Sequence, residues 1–289
     1  MRHTGRKLTF PKADSAMTDP LLSRLQRVLD ETAQNDRFAL AYSGGLDSRF
    51  LAYAAQLLHF QPVLLHVTGP HVPSEESDFA RSWADGRHLA FREVVVNTLS
   101  VPTVAEGARD RCYACKLTMF SRLAQESNLP LCDGTNASDV STYRPGIRAV
   151  RELGVTSPLA LAGLAKKDIH FLAEKTGMDL PRQKPRPCLL TRLPYGMKPD
   201  AEVLAGIAAG ESVVRHALAR AGLPQIDFRL RLVAPGRLEL HLTASDMTAL
   251  PSALGESLLQ DIHAVMPGLP RPVLSAQETL SGFFDRVTA

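Results

Sequence analysis

FALAYSGGLDSRFLAY, residues 38–53, runs from an apolar stretch through a short polar segment with two glycines into a second apolar stretch. The first stretch has the composition of a buried strand, and the second repeats its apolar residues at the spacing of a helix. Gly44 and Gly45 allow a tight turn whose backbone N–H groups face inward. Residues 38–53 therefore predict a buried strand, a tight loop and a helix.

The predicted loop has the chemistry of a phosphate-binding site. The first turn of a helix presents free N–H groups and a partial positive charge, and Ser43 and Ser48 add hydroxyl donors. Asp47, at the helix start, is suited to cap the helix or to help hold Mg²⁺ beside the phosphates. No lysine follows the glycines, as it would in a Walker A loop. The plainer alternative is a glycine turn without a ligand.

The segment SGGLDS, residues 43–48, resembles the SGGxDS loop of the PP-loop ATP pyrophosphatases. That resemblance implies an enzyme that grips pyrophosphate, cleaves ATP between its α and β phosphates and adenylates a substrate oxygen. The strand, loop and helix predicted for residues 38–53 are the structural context that such a loop requires.

The composition is that of a soluble globular protein, with 289 residues of which 45% are apolar and 22% charged. A net charge of +3 does not by itself indicate a nucleic-acid partner, and no apolar run reaches the length of a membrane span. Residues 1–20 are basic but lack the apolar core of a secretory signal, and we expect them to form a loose tail. Four cysteines without such a signal indicate thiols or metal ligands in a reducing cytoplasm.

Strand and helix patterns alternate through the first two thirds of the chain. The predicted elements outside residues 38–53 are a helix at 21–32, a strand at 61–67, a helix at 75–89, a strand at 91–96, a short strand at 130–132 and a helix at 166–175. This alternation predicts an α/β fold, a doubly wound parallel sheet, which we assign to a domain at residues 21–195. Ligands of such sheets bind at the carboxyl ends of the strands, which places His66 beside the adenosine.

The pattern changes to a smaller C-terminal α+β module at residues 196–289. The proline-rich residues 181–195 predict an extended, partly mobile connection to it. Within the module, residues 201–221 predict a long helix, residues 227–233 and 237–242 a half-buried hairpin, and residues 250–265 another helix. We expect this module to serve oligomerisation or substrate binding.

Six short stretches together identify a family: SGGLDS, RCYACK, DGTNASD, YRPGIRA, SPL and CLLTRLPYG. They occur here in the order found in the LarE family, and the resemblance covers nearly the whole chain from residue 21. It implies an ATP-dependent sulfurtransferase that acts on pyridinium-3,5-biscarboxylic acid mononucleotide. The implied product is the thiocarboxylate precursor of the nickel-pincer nucleotide cofactor of lactate racemase. Thr191, where serine is usual in the family, keeps the hydroxyl group.

The resemblance implies a nucleotide site and a substrate site. The nucleotide site, for ATP and for Mg²⁺ at Asp47, comprises Ser43, Gly44, Gly45, Asp47, Ser48, His66, Gly134 and Arg148. The substrate or phosphate site comprises Arg144, Arg192, Glu211, Arg229 and Arg231. Two plainer alternatives stay open: a solvated surface position for Arg192, and salt bridges on a strand face for the residues of the C-terminal module.

By the same resemblance, Cys112, Cys115 and Cys188 occupy the positions that hold a [4Fe-4S] cluster in one LarE type, where an open iron carries the sulfide to be transferred. In the other type, a single cysteine at the position of Cys188 gives up its own sulfur and becomes dehydroalanine. Three thiolates suit three corners of a cluster better than a structural zinc site, which needs four ligands. A redox pair or an unliganded pair at Cys112 and Cys115 are the alternatives, and Cys132 is assigned to the core.

The partners that the family implies are the pyridinium mononucleotide, a sulfide source and further copies of the chain in a trimer-based oligomer. We expect neither a membrane nor a nucleic acid as a partner. The first competing function is a PP-loop tRNA thiolase, which needs a basic face for RNA. The others are an amide-forming synthetase, which leaves the C-x-x-C pair without a use, and a non-catalytic iron–sulfur or nucleotide-binding module.

Overall fold

The computed structural model describes residues 19–140, 145–184 and 186–287 of the chain. It contains two compact units, each built from separated stretches of sequence. The first unit comprises the described residues up to Thr68, Ser74–Val96 and Lys116–Arg186. The second unit comprises Gly69–Pro73, Asn97–Cys115 and the described residues from Pro187 onward. The domain boundaries at 21–195 and 196–289 stay a prediction, and the tail at 1–20 lies almost entirely outside the described residues.

The described strands form two sheets, one in each unit. The first unit contains β1 (Arg37–Ala41), β2 (Gln61–Thr68), β3 (Ala90–Val95) and β4 (Leu131–Asp133) in the order β3-β2-β1-β4. The second unit contains β5 (Phe228–Ala234), β6 (Arg237–Thr243) and β7 (Val273–Gln277) in sequence order. Every neighbouring pair in the first sheet is parallel, which confirms the predicted doubly wound α/β class.

Helices connect these strands. Those in the described residues are, in chain order, α1 (Pro20–Thr32), α2 (Leu46–Leu57), α3 (Ser74–Asp85), α4 (Pro102–Ala105), α5 (Arg111–Gln125), α6 (Ala137–Val140), α7 (Pro145–Glu152), α8 (Pro158–Leu161), α9 (Lys166–Lys175), α10 (Ala201–Arg220), α11 (Ala244–Ala249), α12 (Ser252–Val265) and α13 (Phe283–Val287). Short 3-10 helices lie at Thr98–Ser100 and Leu189–Arg192. Across the described ranges, no helix has both the length and the apolar character needed to cross a membrane.

Burial of β1 fixes the position of the loop that follows it. Phe38 and Leu40 are fully buried and belong to one core with Phe50 of α2. Burying such a side chain stabilises the fold by roughly 1.5–3 kcal/mol. Because β1 lies between β2 and β4, the loop at its carboxyl end also lies beside the ends of those two strands. The core therefore places the SGGLDS segment at the carboxyl edge of the sheet, where parallel sheets bind ligands.

The helix predicted at residues 75–89 is shorter in the structure. α3 ends at Asp85, and His88 adopts a left-handed backbone conformation with a φ of 55°. The N–H group of Leu89 donates to the carbonyl of Ala84 at 3.1 Å, which closes the helix end. The apolar spacing alone did not reveal this turn, because Leu89 lies beyond the turn yet still packs against the core, as a helical residue would.

The segment predicted to be extended and partly mobile at residues 181–195 contains an ordered turn. The 3-10 helix at Leu189–Arg192 buries Leu189, Leu190 and Arg192, each of which is at most 3% exposed. Proline residues favour extended chain, but burial of the two leucines and the pairing of Arg192 with Glu211 stabilise a compact turn here. The prediction of extended chain was therefore wrong at these four residues.

The small sheet of the second unit is built on the predicted hairpin. β5 and β6 are antiparallel, and Gly236 occupies their turn with a φ of 71°. β7 pairs with β6 in parallel and was not predicted, because VLSAQ has neither a long apolar run nor a clear alternation. α10 lies close on the sheet, since a Cβ on Gly210 would come within 2.5 Å of Leu230 Cδ2.

Arg49 of α2 is fully buried, and its charge holds the segment that follows α9. Its guanidinium group donates to the carbonyls of Asp179 at 3.1 Å and Leu180 at 3.0 Å. It also donates twice to Oε1 of Gln183, at 2.7 and 3.0 Å. A buried charge of this kind is tolerated only when its donors are paired, so the arginine and the segment depend on each other.

Replacing Arg49 with methionine should lower the free energy of unfolding by about 2–4 kcal/mol, because the buried side chain loses its hydrogen bonds to three acceptors of the following segment. Urea denaturation measures the loss. The control is Arg182→Met, which removes an exposed partner of Glu174 and should cost less than about 1 kcal/mol. Equal losses in the two variants would contradict the importance of the buried charge.

Candidate functional site

The SGGLDS segment forms a closed loop between β1 and α2 in the first unit. The hydroxyl oxygens of Ser43 and Ser48 lie 3.2 Å apart. Gly45 donates its N–H group to Ser43 Oγ at 3.3 Å, and Ser48 donates its hydroxyl to the Gly45 carbonyl at 3.1 Å. These local bonds give the loop a defined shape without a ligand. This reduces the entropy cost of ordering the loop when a ligand binds.

Two glycines around this loop are required by close approach of other atoms. Gly44 has a φ of 74°, and a Cβ there would lie 3.0 Å from the Cβ of Ala80. Gly134, in the loop after β4, lies against the start of α2, where a Cβ would come within 2.9 Å of the backbone nitrogen of Ser48. The fold therefore brings Gly134 together with the loop at residues 43–48, and its contact with a nucleotide stays a prediction.

Asp47 is paired with a cation that the sequence analysis missed. Nζ of Lys166, from the first residue of α9, lies 2.8 Å from each carboxylate oxygen of Asp47. Burial raises the pKa of Asp47, and the hydrogen bond and charge of Lys166 oppose that rise. The two residues are 119 positions apart, so no local spacing indicated the pair. Lys166 supplies beside the loop the charge that a Walker A loop carries within its own sequence.

His66 is fully engaged inside the first unit. Its Nδ1 lies 2.8 Å from the carbonyl oxygen of Tyr42, and its Nε2 lies 3.0 Å from the hydroxyl of Ser77. Burial lowers the pKa of the imidazole, which keeps it neutral. The ring therefore connects the end of β2 by hydrogen bonds to the residue after β1 and to α3. A contact of His66 with adenosine stays a prediction.

The two arginines predicted near the phosphates have different outcomes. Arg148 on α7 is 65% exposed and pairs with Glu152 one turn later, at 3.2 Å. Its role toward the nucleotide stays a prediction. Arg144 lies outside the described residues.

The second unit contains the three cysteines that the sequence analysis assigned to sulfur transfer. Cys112 and Cys115 lie on one face at the start of α5, where Cys112 is exposed and Cys115 is buried. Cys188 is half-buried and immediately precedes the 3-10 helix at Leu189–Arg192. Burial raises the pKa of Cys188 to about 11, and a negative charge on Cys112 also raises it. This thiol is therefore protonated at neutral pH until another group stabilises the thiolate.

A metal site is not evident among these side chains. Within residues 19–140, 145–184 and 186–287, no three His, Cys, Asp or Glu residues are grouped so that they could hold a metal ion. The [4Fe-4S] cluster at Cys112, Cys115 and Cys188 thus stays a prediction. Cys132 in β4 is fully buried, and burial raises its pKa to about 12, which agrees with its assignment to the core.

A chain of hydrogen bonds links Cys188 to a buried carboxylate. Thr191 donates its hydroxyl to the carbonyl of Cys188 at 2.7 Å, and Nη1 of Arg192 donates to that hydroxyl, also at 2.7 Å. Arg192 binds Glu211 with two parallel contacts, Nε to Oε1 at 2.6 Å and Nη2 to Oε2 at 3.1 Å. The plainer view of Arg192 as a solvated surface arginine is wrong, because it is only 3% exposed.

Arg229 and Arg231 extend this charged group along β5, where alternate residues share a face of the sheet. Glu211 reaches the same strand by accepting the N–H group of Leu230 at 3.0 Å. Burial lowers the pKa of Arg231 to about 9, and the positive charges of Arg192 and Arg229 lower it as well. The three guanidinium groups therefore repel one another, and an anion bound among them would relieve that repulsion.

Arg231 is oriented by a buried histidine that the sequence analysis did not single out. Nη1 of Arg231 lies 2.8 Å from Nδ1 of His241, and Nε2 of His241 lies 2.8 Å from Oε2 of Glu239. Because a guanidinium group only donates, Nδ1 must accept, and the imidazole proton is on Nε2. Burial lowers the pKa of His241 and keeps it neutral. The alternation of glutamate and histidine on β6 was the available signal.

Comparison with known proteins relates the chain to three curated sequences, although no protein-family model matches it. Uncharacterized protein slr1717 of Synechocystis is 31% identical over 202 residues, which cover 68% of this chain and 75% of that protein. Uncharacterized protein MJ0830 of Methanocaldococcus jannaschii is 28% identical over 199 residues, 68% of this chain and 76% of that protein. Pyridinium-3,5-bisthiocarboxylic acid mononucleotide synthase of Lactiplantibacillus plantarum is 29% identical over 185 residues, 62% of this chain and 67% of that protein.

Replacing Lys166 with methionine should weaken binding of a nucleoside triphosphate by about 10- to 100-fold, because one charge-assisted contact contributes roughly 1.5–3 kcal/mol. Isothermal titration calorimetry with a non-hydrolysable ATP analogue measures the change. Lys167→Met is the matched control, since this neighbouring lysine is exposed on the same helix. An unchanged affinity in the Lys166 variant would separate the Asp47–Lys166 pair from nucleotide binding.

Proposed function

We infer that this chain, which belongs to the LarE-like family, is a sulfurtransferase that activates a carboxylate of a pyridinium mononucleotide with ATP and replaces an oxygen with sulfur. The relative from Lactiplantibacillus plantarum is by its name a synthase of a pyridinium bisthiocarboxylic acid mononucleotide. We take pyridinium-3,5-biscarboxylic acid mononucleotide as the substrate. The product would be a thiocarboxylate used in making the nickel-pincer nucleotide cofactor.

The observation that carries this proposal is a cysteine whose backbone carbonyl is joined by hydrogen bonds to the buried Arg192 within one unit. Cys188 and Arg192 lie at the two ends of one short helix and are linked through the Thr191 hydroxyl. The substrate carries a phosphate and carboxylates, which guanidinium groups bind well. Two arginines of this unit pair with carboxylates, Arg192 with Glu211 and Arg229 with Asp227, whose Oδ1 lies 3.5 Å from Nη1 of Arg229.

The first half-reaction is assigned to the loop at residues 43–48. A carboxylate oxygen of the substrate attacks the α-phosphorus of ATP, the bond to pyrophosphate breaks, and an acyl adenylate forms. The loop N–H groups and hydroxyls would bind the departing pyrophosphate, and Lys166 would neutralise part of its charge. Asp47, whose side chain is 26% exposed, is the residue that would hold Mg²⁺, and the ion would supply further neutralisation of the phosphates.

The second half-reaction is assigned to Cys188. Its thiol loses a proton to solvent, the sulfur attacks the acyl carbon, and the bond to AMP breaks to leave a thioester. Removal of the Cα proton of Cys188 and cleavage of its Cβ–Sγ bond then release the thiocarboxylate and leave dehydroalanine in the chain. No external oxidant or reductant is needed, and each protein molecule acts once.

Delivery of sulfide through a [4Fe-4S] cluster is the other route, and it would allow each protein molecule many turnovers. The side chains of the described residues do not fit a cluster as they stand, because no three potential ligands form a group. No step of the reaction is therefore assigned to a cluster. Both routes need Cys188, and they differ in whether Cys112 and Cys115 are also needed.

Replacing Cys188 with alanine should abolish thiocarboxylate formation, with a loss of at least about 1,000-fold, because the nucleophilic sulfur is absent. Pyrophosphate release that depends on the pyridinium substrate should continue, since adenylation is assigned to the loop at residues 43–48 and does not use this thiol. Rapid quenching followed by chromatography measures pyrophosphate for the first half-reaction and thiocarboxylate for the second. The control is Cys132→Ala, which removes a core thiol and should keep both activities. Full thiocarboxylate formation by the Cys188 variant would overturn the assignment.

A single turnover followed by mass spectrometry of the protein should show dehydroalanine at Cys188, with Cys112→Ala and Cys115→Ala variants still forming one equivalent of product. The measurement needs no added iron or sulfide. If both variants are instead inactive, and anaerobic reconstitution with iron and sulfide restores multiple turnovers with an iron–sulfur absorption spectrum in the unmodified protein, sulfur delivery by Cys188 itself is contradicted.

A further inference from the structure

Asp133, the last residue of β4, has a buried carboxylate that accepts three hydrogen bonds within the first unit. Its Oδ1 accepts the peptide N–H group of Thr135 at 3.1 Å and the hydroxyl of Ser157 at 2.7 Å. Its Oδ2 accepts the hydroxyl of Thr135 at 2.5 Å. Asp133 is only 4% exposed, and a carboxylate is tolerated at such a place when donors surround it. These bonds fix the turn that carries Gly134.

The backbone of Gly134 lies directly against the first turn of α2. A Cβ on this glycine would lie 2.9 Å from the peptide nitrogen of Ser48, 3.1 Å from its Cα and 3.3 Å from the carbonyl carbon of Asp47. Ser48 is the third residue of α2, and the N–H groups of a first helical turn have no partner within the helix. The turn that Asp133 fixes therefore lies against the group of N–H donors assigned to pyrophosphate.

The other end of the same loop contacts the helix that carries Lys166. The hydroxyl of Ser138 accepts the peptide N–H group of Lys166, the first residue of α9, at 3.0 Å. The ammonium group of that lysine contacts the carboxylate at the start of α2, at 2.8 Å from each oxygen. The loop at residues 133–138 therefore touches both of the cationic features assigned to phosphate binding, the N-terminus of α2 and the helix of Lys166.

We propose that Asp133 is a positioning residue for pyrophosphate binding, because its three hydrogen bonds hold the loop at residues 133–138 against the loop at residues 43–48. The proposal rests on the sulfurtransferase function and deepens it, since it names a group that shapes the site of the first half-reaction. The carboxylate of Asp133 is directed at Thr135 and Ser157. It therefore acts through the backbone of Gly134 and needs no contact with ATP.

Titration calorimetry with inorganic pyrophosphate and Mg²⁺ tests the proposal without using sulfur transfer. Asp133→Ala should weaken binding by about 10-fold or more, since the turn loses the three hydrogen bonds that shape it. Asp133→Asn keeps an acceptor for Thr135 and Ser157, so its affinity should stay within about 3-fold of that of the unmodified protein. The matched control is Asp200→Ala, which removes an aspartate that accepts two peptide N–H groups at the start of α10 in the second unit. It should leave the affinity unchanged.

Kinetics of the complete reaction provide the second readout. Asp133→Ala should raise the apparent KM for ATP by about 10-fold, because the displaced loop weakens the grip on the phosphates. The apparent KM for the pyridinium substrate should stay the same, since the loop at residues 43–48 is assigned to ATP. Asp133→Asn should restore the KM for ATP. A general loss of structure would instead change both KM values together, and that outcome would contradict a positioning role.

The outcomes separate this proposal from the function on which it rests. Weak pyrophosphate binding by Asp133→Ala, restored in Asp133→Asn, supports positioning even if no sulfur transfer is detected and the proposed function fails. Equal affinities of Asp133→Ala and the unmodified protein overturn positioning, even if sulfur transfer is efficient. Equal weakening by both substitutions also overturns it, because the charge would then matter rather than the hydrogen bonds. If Asp133→Ala does not fold, Ser157→Ala decides, since it removes one of the three donors and an unchanged affinity in it contradicts the proposal.

Discussion

The charge of Arg192 is buried, and the arrangement of the second unit depends on how that charge is paired. Removing a guanidinium group from water is costly unless its donors are matched, and Glu211 provides two matched acceptors. Since Glu211 also accepts a peptide N–H group from β5, the pair ties the turn after Cys188 to the small sheet. Thr191 passes that constraint to the carbonyl of Cys188. The backbone of Cys188, in a proline-rich segment, is thereby tied to the buried Arg192–Glu211 pair.

In the first unit, the loop that we propose to bind ATP has no lysine of its own. Local hydrogen bonds and two close glycine contacts shape the loop at residues 43–48. The nearby cation comes from a helix that is distant in sequence, since Lys166 at the start of α9 pairs with Asp47. Separate units thus carry the features assigned to activation and to sulfur transfer, so variants of one half-reaction can be studied while the other is monitored.

Much of this architecture could be predicted from sequence because its signals are local. The strand, loop and helix at residues 38–53, the hairpin of β5 and β6, and the helix at α9 all follow from periodicity and turn residues. Contacts over long sequence separation could not be predicted, and they include Lys166 with Asp47 and Arg111 with the carbonyls of Leu193 and Pro194. The strand β7 and the 3-10 turn after Cys188 were also not predicted, since tertiary packing rather than a local sequence pattern forms them.

The central claim is that a substrate carboxylate is adenylated before sulfur replaces one of its oxygens, and an isotope experiment tests it most directly. The protein is incubated with ATP and pyridinium-3,5-biscarboxylic acid mononucleotide whose carboxylates carry oxygen-18, and the AMP is isolated for mass spectrometry. Our account predicts that the label appears in the phosphate of AMP together with an equal amount of thiocarboxylate. Unlabelled AMP, or AMP formed at the same rate without the pyridinium compound, would contradict it.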